Sequence, residues 1–218
     1  MNILAPHFLN SKMTDSFYEE VLPMPTTTVF DTEDLFNWTS KTSHFDESGN
    51  LSRTEIIFDN GVSDITFYDI HGGPKQSRAI IDGDNAFDWD QQFYKYDESG
   101  LISFREIYYD NGNVTSHSYE NGIRTATILA DGADLKSWTD IETYYTEGQI
   151  AAKITTFDDG STKGEEWQNG NRSYTQFDDN EDAHAWTQQQ TYYDENGERA
   201  AVVTTYDNGV IRAEEFNN

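Results

Sequence analysis

The feature that most constrains this chain is the rhythm of its turn signals. From residue 27 onward a turn signal, most often glycine-bearing, recurs every ten to twelve residues, leaving only seven to nine residues between reversals. Segments that short fit strands and are too short for ordinary helices. One set of turns reads Phe45-Asp-Glu-Ser-Gly49, Tyr96-Asp-Glu-Ser-Gly100, Tyr145-Thr-Glu-Gly148 and Tyr193-Asp-Glu-Asn-Gly197. A second set, twelve residues on, reads Phe58-Asp-Asn-Gly61, Tyr109-Asp-Asn-Gly112, Phe157-Asp-Asp-Gly160 and Tyr206-Asp-Asn-Gly209. Asn-Gly or Asp-Gly between apolar runs is a strong hairpin signal, because glycine accepts the positive φ of a tight reversal. A third set is Ile70-His-Gly-Gly73, Glu120-Asn-Gly122 and Gln168-Asn-Gly170.

These turns belong to a repeat. Trp38, Trp89, Trp138 and Trp186 fall 51, 49 and 48 residues apart. Each follows an acidic loop, read as Asp31-Thr-Glu-Asp34, Asp82-Gly-Asp-Asn85, Asp131-Gly-Ala-Asp134 and Asp178-Asp-Asn-Glu-Asp182. The pattern predicts an all-β domain over 27–218, built of four tandem four-stranded antiparallel repeats of about 49 residues at 27–77, 78–126, 127–173 and 174–218. Residues 1–26 form a non-repeat arm whose Phe8, Phe17, Tyr18 and Leu22 would cap the first repeat or dock a partner.

Two shapes suit such a repeat: an elongated open array and a closed four-bladed propeller. Blades pack face to face and need two apolar faces. Plain alternation along the second Trp segment puts Trp89, Gln91, Phe93 and Lys95 on one side and Asp90, Gln92, Tyr94 and Tyr96 on the other, so neither is dry. The open array is the expectation, with the propeller as its alternative.

Charge narrows the function classes. Fourteen Lys and Arg stand against 40 Asp and Glu, a net −26, which repels nucleic acid and anionic lipid. There is no cysteine, so disulfides, zinc–thiolate sites and thiol nucleophiles are excluded. No basic segment followed by an apolar run marks an N-terminal secretion signal or a membrane span in the opening residues.

The segments Tyr94-Lys-Tyr-Asp-Glu-Ser-Gly-Leu101, Phe45-Asp-Glu-Ser-Gly-Asn-Leu51 and Tyr192-Tyr-Asp-Glu-Asn-Gly197 resemble the Tyr-Asp repeats of Rhs-type and teneurin-type surface proteins. The likeness covers the first hairpin of each repeat and leaves out the Trp strand and its acidic loop. It implies an extended β-hairpin array of extracellular or secreted character and carries no activity. The acidic repeat composition is similar also to repeat segments of bacterial secreted adhesins.

Chemistry has few footholds. General acid–base catalysis needs two carboxylates in contrasting environments, and four near-equivalent loops lack that asymmetry. The five His residues have no ligand spacing, and no nucleophile elbow or phosphate loop is present. A catalytic role is therefore not expected. Calcium is the candidate cofactor: Asp82, Asp84 and Asn85, and then Asp178, Asn180 and Asp182, group hard oxygen donors. The competing reading is that these side chains bond their own backbone in Asx turns. Glycan contact is the other candidate, since indole faces stack on sugars while Asp, Asn and Gln fix hydroxyls. Trp38, Trp89, Trp138 and Trp186 are its residues, with Trp167 standing apart from their spacing; the competing reading makes the recurrent Trp a packing anchor.

The sequence thus predicts a non-enzymatic acidic β-repeat module for adhesion, glycan contact or assembly, in an extracellular, cell-surface or virion-associated setting. Its partners would be a glycan or a protein on the repeat surface, with self-association open. The alternatives are a propeller acting as a calcium-dependent lectin or glycan-active enzyme, and a structural spacer.

Overall fold

A computed structural model describes residues 25–69 and 72–216. The arm, except for its last two residues, and His71 lie outside the described residues. The first repeat supplies β1 (Thr26–Phe30), β2 (Trp38–Phe45), β3 (Leu51–Phe58) and β4 (Val62–Tyr68). The second supplies β5 (Lys75–Asp82), β6 (Trp89–Tyr96), β7 (Ile102–Tyr109) and β8 (Val114–Glu120). β9 (Ile123–Ala130), β10 (Trp138–Thr146), β11 (Gln149–Phe157) and β12 (Thr162–Gln168) follow, then β13 (Asn171–Asp178), β14 (Trp186–Tyr193), β15 (Arg199–Tyr206) and β16 (Ile211–Glu215). Repeat boundaries drawn at 78, 127 and 174 fall inside β5, β9 and β13.

The strands form one antiparallel sheet in unbroken chain order from β1 to β16. The ladder runs straight through the repeat junctions, where β4 pairs with β5, β8 with β9 and β12 with β13 over seven partners each. Stacked blades would interrupt it there, so the propeller alternative is overturned and the sheet is open. Among the described residues, each strand touches only its neighbours in this order. Among the described residues the strands make a single layer, and no second layer covers either face.

Five rows of partnered residues cross all sixteen strands. In the second repeat they read Ile81–Gln91–Tyr108–Val114, Ile80–Gln92–Ile107–Thr115, Ala79–Phe93–Glu106–Ser116, Arg78–Tyr94–Arg105–His117 and Ser77–Lys95–Phe104–Ser118. Side chains alternate across a strand, so the second and fourth rows share a face, here the front, and the others share the back.

Bulges complete the front face. In β2, β6, β10 and β14 the residue after the Trp, namely Thr39, Asp90, Thr139 and Thr187, is skipped in the pairing with the following strand. An extra residue inverts the parity of what precedes it. Plain alternation puts Trp89 with Gln91, Phe93 and Lys95, whereas the bulge returns it to the front with Gln92, Tyr94 and Tyr96. Trp38 lies opposite Phe58, Trp89 opposite Tyr109, Trp138 opposite Phe157 and Trp186 opposite Tyr206, which makes an aromatic rail along one end of the front. At the opposite ends of the hairpins Tyr68, Tyr96, Tyr119, Tyr145, Trp167 and Tyr193 lie on the front by plain alternation as a second rail, and a bulge in each following strand brings Lys75, Ile102, Arg124, Ile150, Arg172 and Arg199 to the front opposite them.

Burial follows the rails. Of the buried residues in the five rows, Thr66, Ile107, Thr127, Thr155, Glu165, Thr175, Thr191 and Thr204 are in front rows and Ser40 alone is in a back row. On the back, Ile81 and Tyr108 remain 38% and 40% exposed. With no second layer, the front is covered by its own long side chains, whose aliphatic stems lie over the small threonines while their heads stay wet.

The Asn-Gly dipeptide makes two different turns. At Asn121-Gly122 both residues have positive φ, 51° and 76°, the two-residue hairpin geometry. At Asn60-Gly61 only the glycine does, at 78°, because Asn60 Oδ1 instead accepts the Val62 N–H within a longer loop.

Candidate functional site

The acidic loops are backbone devices. Asp82 accepts the Ala86 N–H at 3.0 Å and the Phe87 N–H at 2.7 Å, one on each carboxylate oxygen. Asp31 does the same for Leu35 and Phe36, and Asp179 for Ala183 and His184. In the third copy, Asp131 accepts the Lys136 N–H at 2.5 Å, and its Oδ1 is buried without a partner. Three residues on, Asp34, Asn85, Asp134 and Asp182 take left-handed φ values of 53–58°, which Asn and Asp tolerate best among residues with side chains.

This corrects the frame of the fourth loop, which begins at Asp179. Asp178 ends β13 on the back face, where its carboxylate accepts Gln176 Nε2 and Gln188 Nε2 at 2.7 Å each. A constant seven-residue offset from the loop aspartate to Trp38, Trp89, Trp138 and Trp186 was the signal in the sequence, and only Asp179 satisfies it. The other proposed calcium ligands have packing roles. The Asp84 carboxylate sits over Gly61, where an added Cβ would lie 2.2 Å from Asp84 Cγ. Asn180 Nδ2 donates to the Gly160 carbonyl at 3.1 Å. The second and fourth loops thereby rest on the turn of a preceding hairpin. Among the described residues no three His, Asp or Glu side chains converge as metal ligands.

The indoles are placed by the same loops. Phe36 stacks on Trp38 with centroids 5.3 Å apart, Phe87 on Trp89 at 5.2 Å and His184 on Trp186 at 4.7 Å. The stacking residue is the one whose N–H the loop aspartate holds. Trp38 is buried, with Lys41 Nζ 4.3 Å from its ring, while Trp89, Trp138, Trp167 and Trp186 are half-buried. Trp167 is not in the Trp38 rail; it occupies the place of Tyr119 in the second rail, and the Arg172 guanidinium lies 5.8 Å from its ring centroid.

Two concavities open on the front face. The larger, about 460 Å³, is walled by Phe58, Phe87 and Trp89 and floored by Val62 and Ile80, with Asp59, Asp64, Arg78, Asn37 and Asn60 as its polar groups. Arg78 holds Asp64 in a fork, Nε to Oδ1 at 2.8 Å and a second nitrogen to Oδ2 at 2.6 Å. That bond is the main cause holding the guanidinium pKa above its usual value. The smaller concavity, about 250 Å³, lies over β14–β16 among Arg199, Tyr206, Arg212, Glu214 and Phe216.

Charge is divided between the faces, which no composition could reveal. Front rows carry Lys41, Lys163 and Arg212, then Arg78, Arg105 and Lys153, then Lys75, Arg124, Arg172 and Arg199, ten cations in all. The carboxylates in those rows are Asp64, Glu165 and Glu214. The back rows reverse this: Arg53 and Lys95 stand among Glu55, Glu106, Glu142, Asp140, Asp178, Glu166 and Glu215. On the front, Glu165 is held by Lys163 at 2.9 Å and Arg172 at 3.1 Å.

No protein-family model matches this chain, and no curated protein is significantly similar to it.

Proposed function

We propose that the chain is a non-enzymatic recognition module whose front face contacts an extended glycan. The observation that carries this reading is the larger concavity. Its volume is in the range of small-ligand sites, and it joins flat aromatic walls to a few fixed polar groups, as sugar contact requires. The two carboxylates that line it are already engaged, Asp64 by Arg78 and Asp59 by the Thr39 hydroxyl at 3.2 Å, which favours recognition over acid–base chemistry. Repetition favours attachment as well, since weak contacts add along an array. The resemblance of the hairpins to Tyr-Asp surface repeats points the same way, toward an extracellular, cell-surface or virion setting.

The test is a glycan array followed by tryptophan-fluorescence titration of the full chain, in calcium and in EDTA. Phe87→Ala removes a wall whose side chain is 47% exposed, so the fold loses little. Binding should weaken about tenfold, the size of a modest contact hot spot. A structural spacer predicts that no glycan binds, and an unchanged affinity in Phe87→Ala moves the contact off this cleft. Loss of binding in EDTA alone would bring calcium into the site.

A further inference from the structure

We propose that the stretch of the front face from β6 to β11 binds the acidic groups of a charged glycan, sugar carboxylates or sulfates, through Arg105, Arg124 and Lys153. This rests on the glycan reading above and narrows it. From Gln92 on β6 to Lys153 on β11 the front rows hold no carboxylate, in a chain whose net charge is −26.

The three cations are available for a ligand. Arg105 donates to Gln92 Oε1 at 2.9 Å, and its Nε is buried without a partner. The Arg124 guanidinium lies 4.5 Å from the Tyr145 ring centroid, and a guanidinium stacked on an aromatic keeps its in-plane N–H donors for other groups. Lys153 stands opposite Glu165 in register, but Glu165 is occupied by Lys163 and Arg172. His117 reports the local potential. Burial and then the charges of Arg124 and Arg105 hold its pKa below the usual value, while its Nδ1 meets Thr127 Oγ1 at 3.0 Å.

Geometry selects an extended anion. Strands lie about 4.8 Å apart, so Arg105 on β7 and Lys153 on β11 are roughly 19 Å apart, beyond the span of one small ion. The turn carboxylates lie about 10 Å from the central rows, near one screening length at physiological salt, so the net charge fades where the contact cations act. A nucleic acid would bring roughly one phosphate per 1.7 Å of duplex into the reach of those turns. An acidic glycan carries its charges more sparsely, and Tyr94, Tyr119 and Tyr145 offer sugar-facing rings beside the cations.

The experiment is isothermal titration of the full chain with a polyuronate, a sulfated glycan, a neutral glycan and duplex DNA. The acidic glycans should bind about tenfold or more tighter than the neutral one, and DNA weakest. Lys153→Gln, which removes no ion pair, should cost about fivefold with an unchanged melting temperature, the size of one exposed charge contact. Lys95→Gln on the back should change nothing. Arg105→Gln and Arg124→Gln add to the loss where they fold, and Lys153→Gln decides the matter where they do not. Equal binding of neutral and acidic glycans, or an unaffected Lys153→Gln, overturns the inference and leaves the glycan reading standing. Binding of no glycan overturns both. DNA bound as tightly as the acidic glycans overturns the sugar assignment.

Discussion

The two faces of this sheet are made of the same strands, yet they are held in different ways. The front keeps Ile107 at 6% exposure, whereas the back leaves Ile81 at 38%. The front is flanked by two aromatic rails and crossed by cation stems, among them Lys41 over Trp38, Arg105 near Tyr94 and Arg124 over Tyr145. The back has fewer such contacts, Arg53 near Phe67 and Lys95 near Phe93 and Phe104. It is tied by side-chain hydrogen bonds along the strands, Tyr108 to Glu106 at 2.6 Å and Tyr144 to Glu142. A single-layer sheet can therefore make a partial core on one side only, by folding long amphipathic side chains over small ones. The other side is left to polar ladders, and the acidic residues gather there.

The sharpest way to break the comparison is to truncate one isoleucine on each face. Ile107→Ala should cost about 2–4 kcal/mol and Ile81→Ala less than about 1.5 kcal/mol, because truncation cost follows the burial lost. Urea unfolding of both variants checks this; equal costs would mean that the front is no better covered than the back.

A smaller effect tests the loops that set the Trp rail. Asp82→Ala removes two acceptors from backbone N–H groups at a residue only 8% exposed. The expected loss is about 1–3 kcal/mol, the cost of leaving buried donors unpaired. The same substitution at Asp178, on the back, should cost less. A rise in Trp89 solvent exposure by quenching would accompany the first variant and not the second.

The smallest effect is confined to high pH and is largest for two back-face phenols. Tyr108 and Tyr144 are each pushed up to about 12, first by burial and then by bonding to the Glu beside them. A phenol whose pKa is raised on folding contributes stability that is complete below its unfolded value near 10 and is lost as pH rises through the folded value. Melting temperature should thus fall between about pH 10 and 12, with delayed phenolate absorbance from these two rings. In the double variant Tyr108→Phe, Tyr144→Phe that delayed component should shrink to what Tyr96 and Tyr174, also raised by burial, supply; an undiminished component would assign it elsewhere.

Much of the fold was legible in the chain because glycine-bearing turns act locally. Each turn is set by a few residues, as where Asp46 Oδ1 accepts the Ser48 and Asn50 N–H groups at 2.9 and 2.7 Å, and the spacing of such turns fixes strand length. The open sheet followed from the polarity of both faces. The candidate site was less legible. The Trp residues were visible as landmarks, but Phe87, Phe58 and Arg78, which complete the larger concavity, carry no motif, and β3, β5 and the β5–β6 loop bring them together.

What the sequence determined by itself was the number of strands, their lengths, their antiparallel order and the repeat, all properties of short segments read in series. What only the tertiary structure decided was which residues share a face. One bulged residue inverts the parity of a strand, and bulges at both ends of the hairpins bring the Trp rail and four of the cations, Lys75, Arg124, Arg172 and Arg199, onto the front with the central rows. Parity depends on pairing between strands, and a segment considered alone does not contain its partner.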